Sequence, residues 1–232
     1  MNRHALPSRR SGTAGYTLLE ILVTTALLGL LGVGLFSLFL QSLNLFHFDS
    51  AKLRVNRDIR TFTSEMTDNA TYANYFMIFP DFETRTQTST VDDGDGTPVS
   101  VTVDASLNDG LSGDMLVLVY TDVDSPSKIN RLVGYYRDAD DEDSEGPVRT
   151  FDIAINPSST APIWTLLPPV NSRGNWPEVI EISKGLADGK LFYNFRDRSV
   201  MVKGQIIHRG GIGKTRYERA TNTYNFTVAP RG

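Results

Sequence analysis

A stretch without one charged side chain, Ile21 to Phe46 (ILVTTALLGLLGVGLFSLFLQSLNLF), constrains this chain more than any other feature. About 20 apolar residues span the ~30 Å hydrocarbon core of a bilayer, so the run is long enough to cross one. It exceeds the roughly 7–15 apolar residues at the heart of a secretory signal. Gln41-Ser42-Leu43-Asn44 is also a poor signal-cleavage site. Helices buried in soluble proteins rarely stay uncharged over such a length. The sequence therefore predicts a membrane helix.

The rest of the chain is of a different kind. With 232 residues, 40% hydrophobic and 22% charged, there is room for one domain plus this appendage. That composition excludes a collagen, a long disordered chain and a many-span membrane protein. The absence of cysteine excludes a disulfide framework, a cysteine-based zinc finger and a thiol nucleophile. A net charge of −4 and a pI near 5.4 argue against general nucleic-acid binding. Charge is unevenly placed. Residues 1–15 hold Arg3, Arg9 and Arg10 and no acid; without them the net charge would fall from −4 to −7. Residues 81–145 are strongly acidic, and the balance turns basic from Gly146 onward.

One carboxylate, Glu20, stands just before the uncharged run. A carboxylate inside a spanning helix is costly unless it lies near the interface or is paired. Thr17-Leu18-Leu19-Glu20 has the S/T-x-x-E spacing of a capping box, in which the Thr17 hydroxyl and the Glu20 side chain would satisfy each other's amides. That accounts for Glu20 but not for what precedes it. A short basic, acid-free segment ends in Gly15, followed by the aromatic Tyr16.

Basic leader, glycine, aromatic residue, Thr-Leu-Leu-Glu and spanning run, in that order, resemble the processing segment of type IV prepilins and type II secretion pseudopilins. The resemblance rests on Gly15-Tyr16-Thr17-Leu18-Leu19-Glu20 and covers residues 1 to about 50. It implies that a prepilin peptidase cuts between Gly15 and Tyr16 and methylates the new amino terminus at Tyr16. Family members most often begin with Phe; Tyr16 keeps the ring and adds a hydroxyl. Gly12 is a poorer candidate, because Thr17 then falls where the glutamate belongs. The resemblance also gives Glu20 a second role, pairing with the terminal amine of a neighbouring subunit and so setting its register. Capping and pairing are compatible at different stages. The Lys/Arg rule does not orient the helix, since Lys52, Arg54, Arg57 and Arg60 balance the leader. A cytoplasmic leader follows from the resemblance alone.

No proline occurs between Tyr16 and Phe79. Phe48, Ala51, Val55, Ile59, Phe62, Met66, Ala70 and Ala73 recur at spacings of three and four, an apolar stripe on an amphipathic helix. Arg54, Arg57, Asp58, Glu65 and Asp68 lie off it. The spacing predicts one helix from Thr17 to about Asn74, roughly 85 Å long. The competing reading is an ordinary anchor with a coiled-coil-like stalk. Gly29, Gly32 and Gly34 weaken the membrane half, each by roughly 1 kcal/mol against alanine, and permit close helix approach.

Beyond Phe79 the pattern shortens. Strands are predicted at Met115 to Tyr120, Ile129 to Arg137, Val148 to Ile155, Val179 to Ile182, Leu191 to Phe195, Val200 to His208 and Tyr224 to Val228. Ser112-Gly113-Asp114, Ala187-Asp188-Gly189-Lys190 and Arg196-Asp197-Arg198 read as turns, and Pro157, Pro162, Pro168 and Pro169 as an irregular loop. A long helix followed by a mainly antiparallel sheet is α+β, the pilin-like plan. Its divisions are a leader at 1–15, a transmembrane half at 16–46, an amphipathic half at 47–74 and a β-rich globular domain at 75–232.

No catalytic constellation emerges. His4, His47 and His208 lie far apart in sequence. His208-Arg-Gly-Gly-Ile-Gly213-Lys214-Thr215 lacks the leading glycine and the following helix of a phosphate loop, so a turn between strands is the better reading. Asp92-Asp93-Gly94-Asp95-Gly96 and Asp138 to Glu145 read as solvated acidic loops; no cofactor is predicted, with calcium the minor alternative. Arg196, Arg198, Lys203, Arg209, Lys214, Arg216 and Arg219, interleaved with Tyr193, Tyr217 and Tyr224, could serve DNA capture. A surface that orients subunits is the preferred reading, and nucleic acid is not an expected partner.

The resemblance therefore implies a minor pilin or pseudopilin, a structural and assembly subunit rather than an enzyme. Arg131-Leu-Val-Gly-Tyr-Tyr-Arg137 and the large domain look most like the J-type pseudopilin or W-type minor pilin group, whose members sit at the filament tip. The implied partners are the prepilin peptidase, other minor and major pilin or pseudopilin subunits and the inner-membrane assembly platform. The implied location is a single-pass inner-membrane helix with a periplasmic domain. A membrane-anchored periplasmic binding module that does not polymerise is the alternative.

Overall fold

The computed structural model describes residues 16–92, 98–139, 145–186, 189–210 and 218–231. A single helix, α1, runs from Leu18 to Tyr72 without interruption. Its ends lie within two residues of the expected Thr17 and Asn74. At the start, Thr17 caps it: the Glu20 amide donates to Thr17 Oγ1 at 3.3 Å. At the end, Asn74 is claimed by a strand. Its amide donates to Val119 O at 2.9 Å, and its Oδ1 accepts from the Thr121 amide at 2.8 Å. The chain divides into two compact units at Phe46/His47.

In the amino-terminal unit the apolar side chains of α1 are exposed, with Leu27, Leu31, Leu35 and Phe39 among them. The helix contains a window of mean hydropathy 2.3, none of it buried, and is long and apolar enough to span a membrane.

In the second unit the predicted stripe is the buried face of the helix. Ala51, Val55, Phe62, Met66, Ala70 and Ala73 are buried, and Ile59 packs against the same core. Phe48 is half-buried beneath Lys52, whose Nζ sits 4.6 Å from its ring centre. Arg54 and Arg57 face outward. The stripe lies on a nine-stranded antiparallel sheet. Neighbouring strands in it run β1 (Tyr75–Phe79), β5 (Met115–Thr121), β6 (Ile129–Arg137), β7 (Gly146–Ser159), β8 (Glu178–Gly185), β10 (Ser199–Gly210), β9 (Phe192–Phe195) and β4 (Ser112–Gly113). β11 (Glu218–Val228) pairs with β10 as well. β2 (Thr86–Asp92) and β3 (Pro98–Asp104) form a separate two-stranded sheet. A long helix packed on a mainly antiparallel sheet is the expected α+β layout.

Both faces of the sheet are covered at β5 and its neighbours, which explains the unbroken apolar run in β5. Leu116, Leu118 and Tyr120 point to the α1 side, with Val133 and Tyr135 of β6. Met115, Val117 and Val119 point to a second core with Leu132, Tyr136, Phe151, Phe79 and Phe82. That second core is closed by a short helix, α2 (Ile163–Leu166), and by Trp176. Period-two side-chain alternation with two dry faces reads as continuous hydrophobicity.

Aromatic rings join helix to sheet. Phe62 meets Tyr135, Tyr224 and Phe226 edge-on, at centroid distances of 5.8, 5.9 and 5.8 Å. Each such contact is worth roughly 0.5–1.5 kcal/mol beyond the area it buries. Asn69 extends the joint, donating from Nδ2 to Tyr135 Oη at 2.6 Å and accepting at its carbonyl from Tyr120 Oη at 2.7 Å. On the other face Phe151 lies across its strand partner Gly134. A Cβ at position 134 would run into the Phe151 ring, which Phe82, Tyr136 and Trp176 hold in place. Gly134→Ala is expected to lower stability by about 1–3 kcal/mol, the usual cost of overpacking, as read from urea unfolding.

Several local expectations are corrected. Ser112-Gly113 is a two-residue strand rather than a turn, because β9 pairs with it and Gly113 lies tight against the Phe79 carbonyl. β7 continues past Pro157 to Ser159 instead of ending at Ile155. β1, β2 and β3 lie where no strand is predicted. Arg196-Asp197-Arg198 is a hairpin turn as expected; Arg196 and Asp197 have φ of 57° and 53°. Asn194 stabilises it, donating from Nδ2 to Asp197 Oδ1 at 2.7 Å and accepting at Oδ1 from the Asp197 amide at 3.0 Å. Ala187 and Asp188 lie outside the described residues.

Candidate functional site

The amino-terminal segment is built from few parts. Gly15 and the basic residues before it lie outside the described residues. Tyr16, the predicted new terminus, is 78% exposed. Glu20 occupies the first turn of α1, where an acid is favoured by the positive end of the helix dipole. Only one half of the predicted capping box is formed. Thr17 accepts from the Glu20 amide, but among the described residues the Glu20 carboxylate accepts no hydrogen bond. The hydroxyls that follow are satisfied within the helix. Thr24 Oγ1 donates to Glu20 O at 2.8 Å, Thr25 Oγ1 to Ile21 O at 2.8 Å and Ser42 Oγ to Leu38 O at 2.9 Å. Hydroxyls closed on their own backbone suit an apolar surrounding. Around Gly29, Gly32 and Gly34 an added Cβ would meet nothing within 4 Å, so these glycines are not required by packing inside the chain.

The second unit contains buried charges that the sequence reading missed. Asp114, between β4 and β5, is buried beside Arg137 at the end of β6, with Oδ2 2.7 Å from Nη2. Lys190 Nζ stands 3.4 Å from the same oxygen, and the Leu191 amide donates to Oδ1 at 3.2 Å. Burial pushes the Asp114 carboxyl up, against the downward pull of Arg137 and Lys190. Arg149 forms a second knot, bonding Asp138 and Glu178 at 2.8 Å each and the Trp176 carbonyl at 2.6 Å. Both knots tie strand ends together. The legible signals were a lone acid abutting the apolar Met115 to Tyr120 run and an arginine closing Gly134-Tyr-Tyr-Arg137.

Burial also raises the phenols of Tyr135 and Tyr136, and takes Tyr224 up to about 12. Tyr224 is a core residue whose hydroxyl lies 3.0 Å from Ser183 Oγ. It offers no ring to a nucleic-acid base. Tyr193 is half-buried under Lys203, 5.0 Å from its ring centre, with its hydroxyl on Leu186 O. Tyr217, Lys214 and Arg216 lie outside the described residues, with most of the phosphate-loop-like segment. Among the described residues no three His, Cys, Asp or Glu side chains gather as a metal site. Much of both acidic loops, 93–97 and 140–144, lies outside that description.

Comparison with protein-family models, with curated proteins and with solved structures returned no match.

Proposed function

We propose that this chain is a minor pilin or pseudopilin, a structural and assembly subunit of a type IV pilus or a type II secretion pseudopilus at or near the filament tip. The observation that carries the reading is the join between motif and helix. Gly15-Tyr16-Thr17-Leu18-Leu19-Glu20 leads directly into a helix that runs unbroken from Leu18 to Tyr72. That helix exposes apolar side chains on its amino-terminal part and buries a stripe of them on its carboxy-terminal part. A simple anchor needs neither the glutamate at that spacing nor the continuity. In this reading the prepilin peptidase cuts after Gly15 and methylates Tyr16, and the helix anchors a periplasmic domain in the inner membrane. Glu20 engages other pilin or pseudopilin subunits on the assembly platform.

Processing tests it. Co-expressed with a prepilin peptidase, the wild-type chain is expected to lose residues 1–15 and gain one methyl group by intact mass. Gly15→Val is expected to keep the leader while still entering the membrane, because a branched side chain crowds the scissile backbone. A wild-type mass that retains the leader would overturn the proposal.

A further inference from the structure

One boundary of the main sheet is closed and another is open. Beside β1, Ile78 O accepts from the Leu107 amide at 2.7 Å, and Pro80 O accepts from the Asp114 amide at 2.9 Å. β11, by contrast, pairs only with β10. Which of its groups face outward follows from one bond. The Lys203 amide donates to Leu191 O at 2.9 Å, on the β9 side of β10. Main-chain groups alternate along an antiparallel strand, so odd-numbered residues of β10 turn toward β8 and β9 and even-numbered ones toward β11. The register is unbroken from Val200 opposite Val228 to Gly210 opposite Glu218, always even with even. Thr221, Thr223, Asn225 and Thr227 therefore turn their N–H and C=O groups outward. Among the described residues nothing bonds to those groups.

Proteins usually blunt such an edge with lysine, proline or a bulge. Ala220 to Val228 (ATNTYNFTV) has no charged residue and no proline, and its pairing has no register shift. It is rich in strand-forming residues. Two adjoining recesses form a groove beside it, walled on the other side by α1 at Lys52 and Asn56 in one and at Asn56, Ile59 and Arg60 in the other; Asn222 Nδ2 donates to Asn56 Oδ1 at 2.9 Å where they meet. The side chains of Thr223 and Asn225 lie on the outer face of the sheet, so what they bring to the groove is main chain. Among the described residues, Lys52 and Arg60 are the charged ones lining it, and no carboxylate does.

We propose that the open edge of β11 is a strand-addition site for an extended, carboxylate-bearing segment of a partner polypeptide. The incoming main chain pairs with the outward groups of Thr221 to Thr227. Its alternate side chains face α1, where acids meet Lys52 and Arg60 and an apolar residue meets Ile59. A second copy of β11 is a worse occupant, because its uncharged strand leaves both cations unanswered and brings another pair of them alongside. The inference stands apart from the filament reading and holds for either fate of Glu20.

The test uses the full chain in detergent micelles and a fluorescent nonapeptide of alternating valine and glutamate. Anisotropy is expected to show saturable binding, weaker by about tenfold or more when lysine replaces glutamate. Thr223→Pro removes one outward amide at an edge position that tolerates proline, and is expected to weaken binding by about tenfold with thermal unfolding little changed. Arg60→Glu, at an exposed position, leaves Lys52 facing an anion and is expected to bring the preference for the glutamate peptide close to nil. Absence of saturable binding, equal binding of both peptides by the wild type or indifference to Thr223→Pro with Arg60→Glu would overturn the proposal. Self-association of the chain that Thr223→Pro abolishes would overturn it in favour of a second copy.

Discussion

Asp114→Ala is expected to destabilise the sheet domain by about 3–5 kcal/mol, a large part of the roughly 5–15 kcal/mol that holds a domain together. The cost comes from what is left behind. Arg137 has a 1% exposed side chain and loses its carboxylate partner at 2.7 Å, while Leu191 loses the acceptor for its amide. Lys190 lies nearer the surface, and turns to water at little cost. Burial already pushes the Asp114 carboxyl up, so desolvation takes back much of what the ion pair gives. Two outcomes follow. Removing one partner is costly, whereas Asp114→Leu combined with Arg137→Met recovers most of the loss, since a packed apolar pair has no charge to desolvate. Urea unfolding of the single and double variants measures both. A single variant within about 1 kcal/mol of wild type would show that the buried pair is not what joins β4, β5 and β6.

The helix was more legible than the sheet for a physical reason. Its signal is repeated. From Phe48 to Ala73 the stripe recurs turn after turn, and no proline intervenes, so one misread residue changes nothing. Strand signals are short, and tertiary surroundings decide them. Tyr75 to Phe79 follows the helix with Asn74 as the single polar residue between, and becomes a strand because Asn74 is bound to β5 and turns the chain there. Thr86 to Asp92 carries mainly threonine and serine, with no apolar face to announce it, whereas Pro98 to Asp104 does alternate Val99, Val101 and Val103, a period-two signal too short and too polar in its surroundings to stand out. Ser112-Gly113 has turn composition and serves as a strand because the glycine admits the Phe79 carbonyl. The register that leaves β11 open is a matter of main-chain parity, which no side-chain pattern records.

The amino-terminal segment is the reverse case. Its meaning lies almost entirely in sequence order, and the structure adds one discriminating detail. Thr17 caps the helix while the Glu20 carboxylate is not engaged in the reciprocal bond. The hydroxyl explains the threonine. The capping box does not explain the acid.

Glu20→Gln is accordingly expected to leave the helix intact and to abolish engagement with neighbouring subunits. Glutamine is neutral, nearly the same size, and acceptable in the first turn of a helix. The Thr17 cap would remain, so the loss of about 0.5–2 kcal/mol that follows a removed cap is not incurred. In the proposed assembly the effect is of another order. A carboxylate that meets the amine freed at Tyr16 inside a water-poor bundle of helices holds a pair whose disruption costs roughly 3–5 kcal/mol, because the amine is left uncompensated. Membrane fractionation is expected to find the variant inserted and processed like wild type. Crosslinking between cysteines introduced on neighbouring helices is expected to fall to background. Thr17→Ala is the matched control, with a weakened helix start and preserved crosslinking. If Glu20→Gln crosslinks and assembles as wild type does, the charge recruits nothing. The chain is then better read as a tethered module that does not polymerise, whose partner is to be sought along β11.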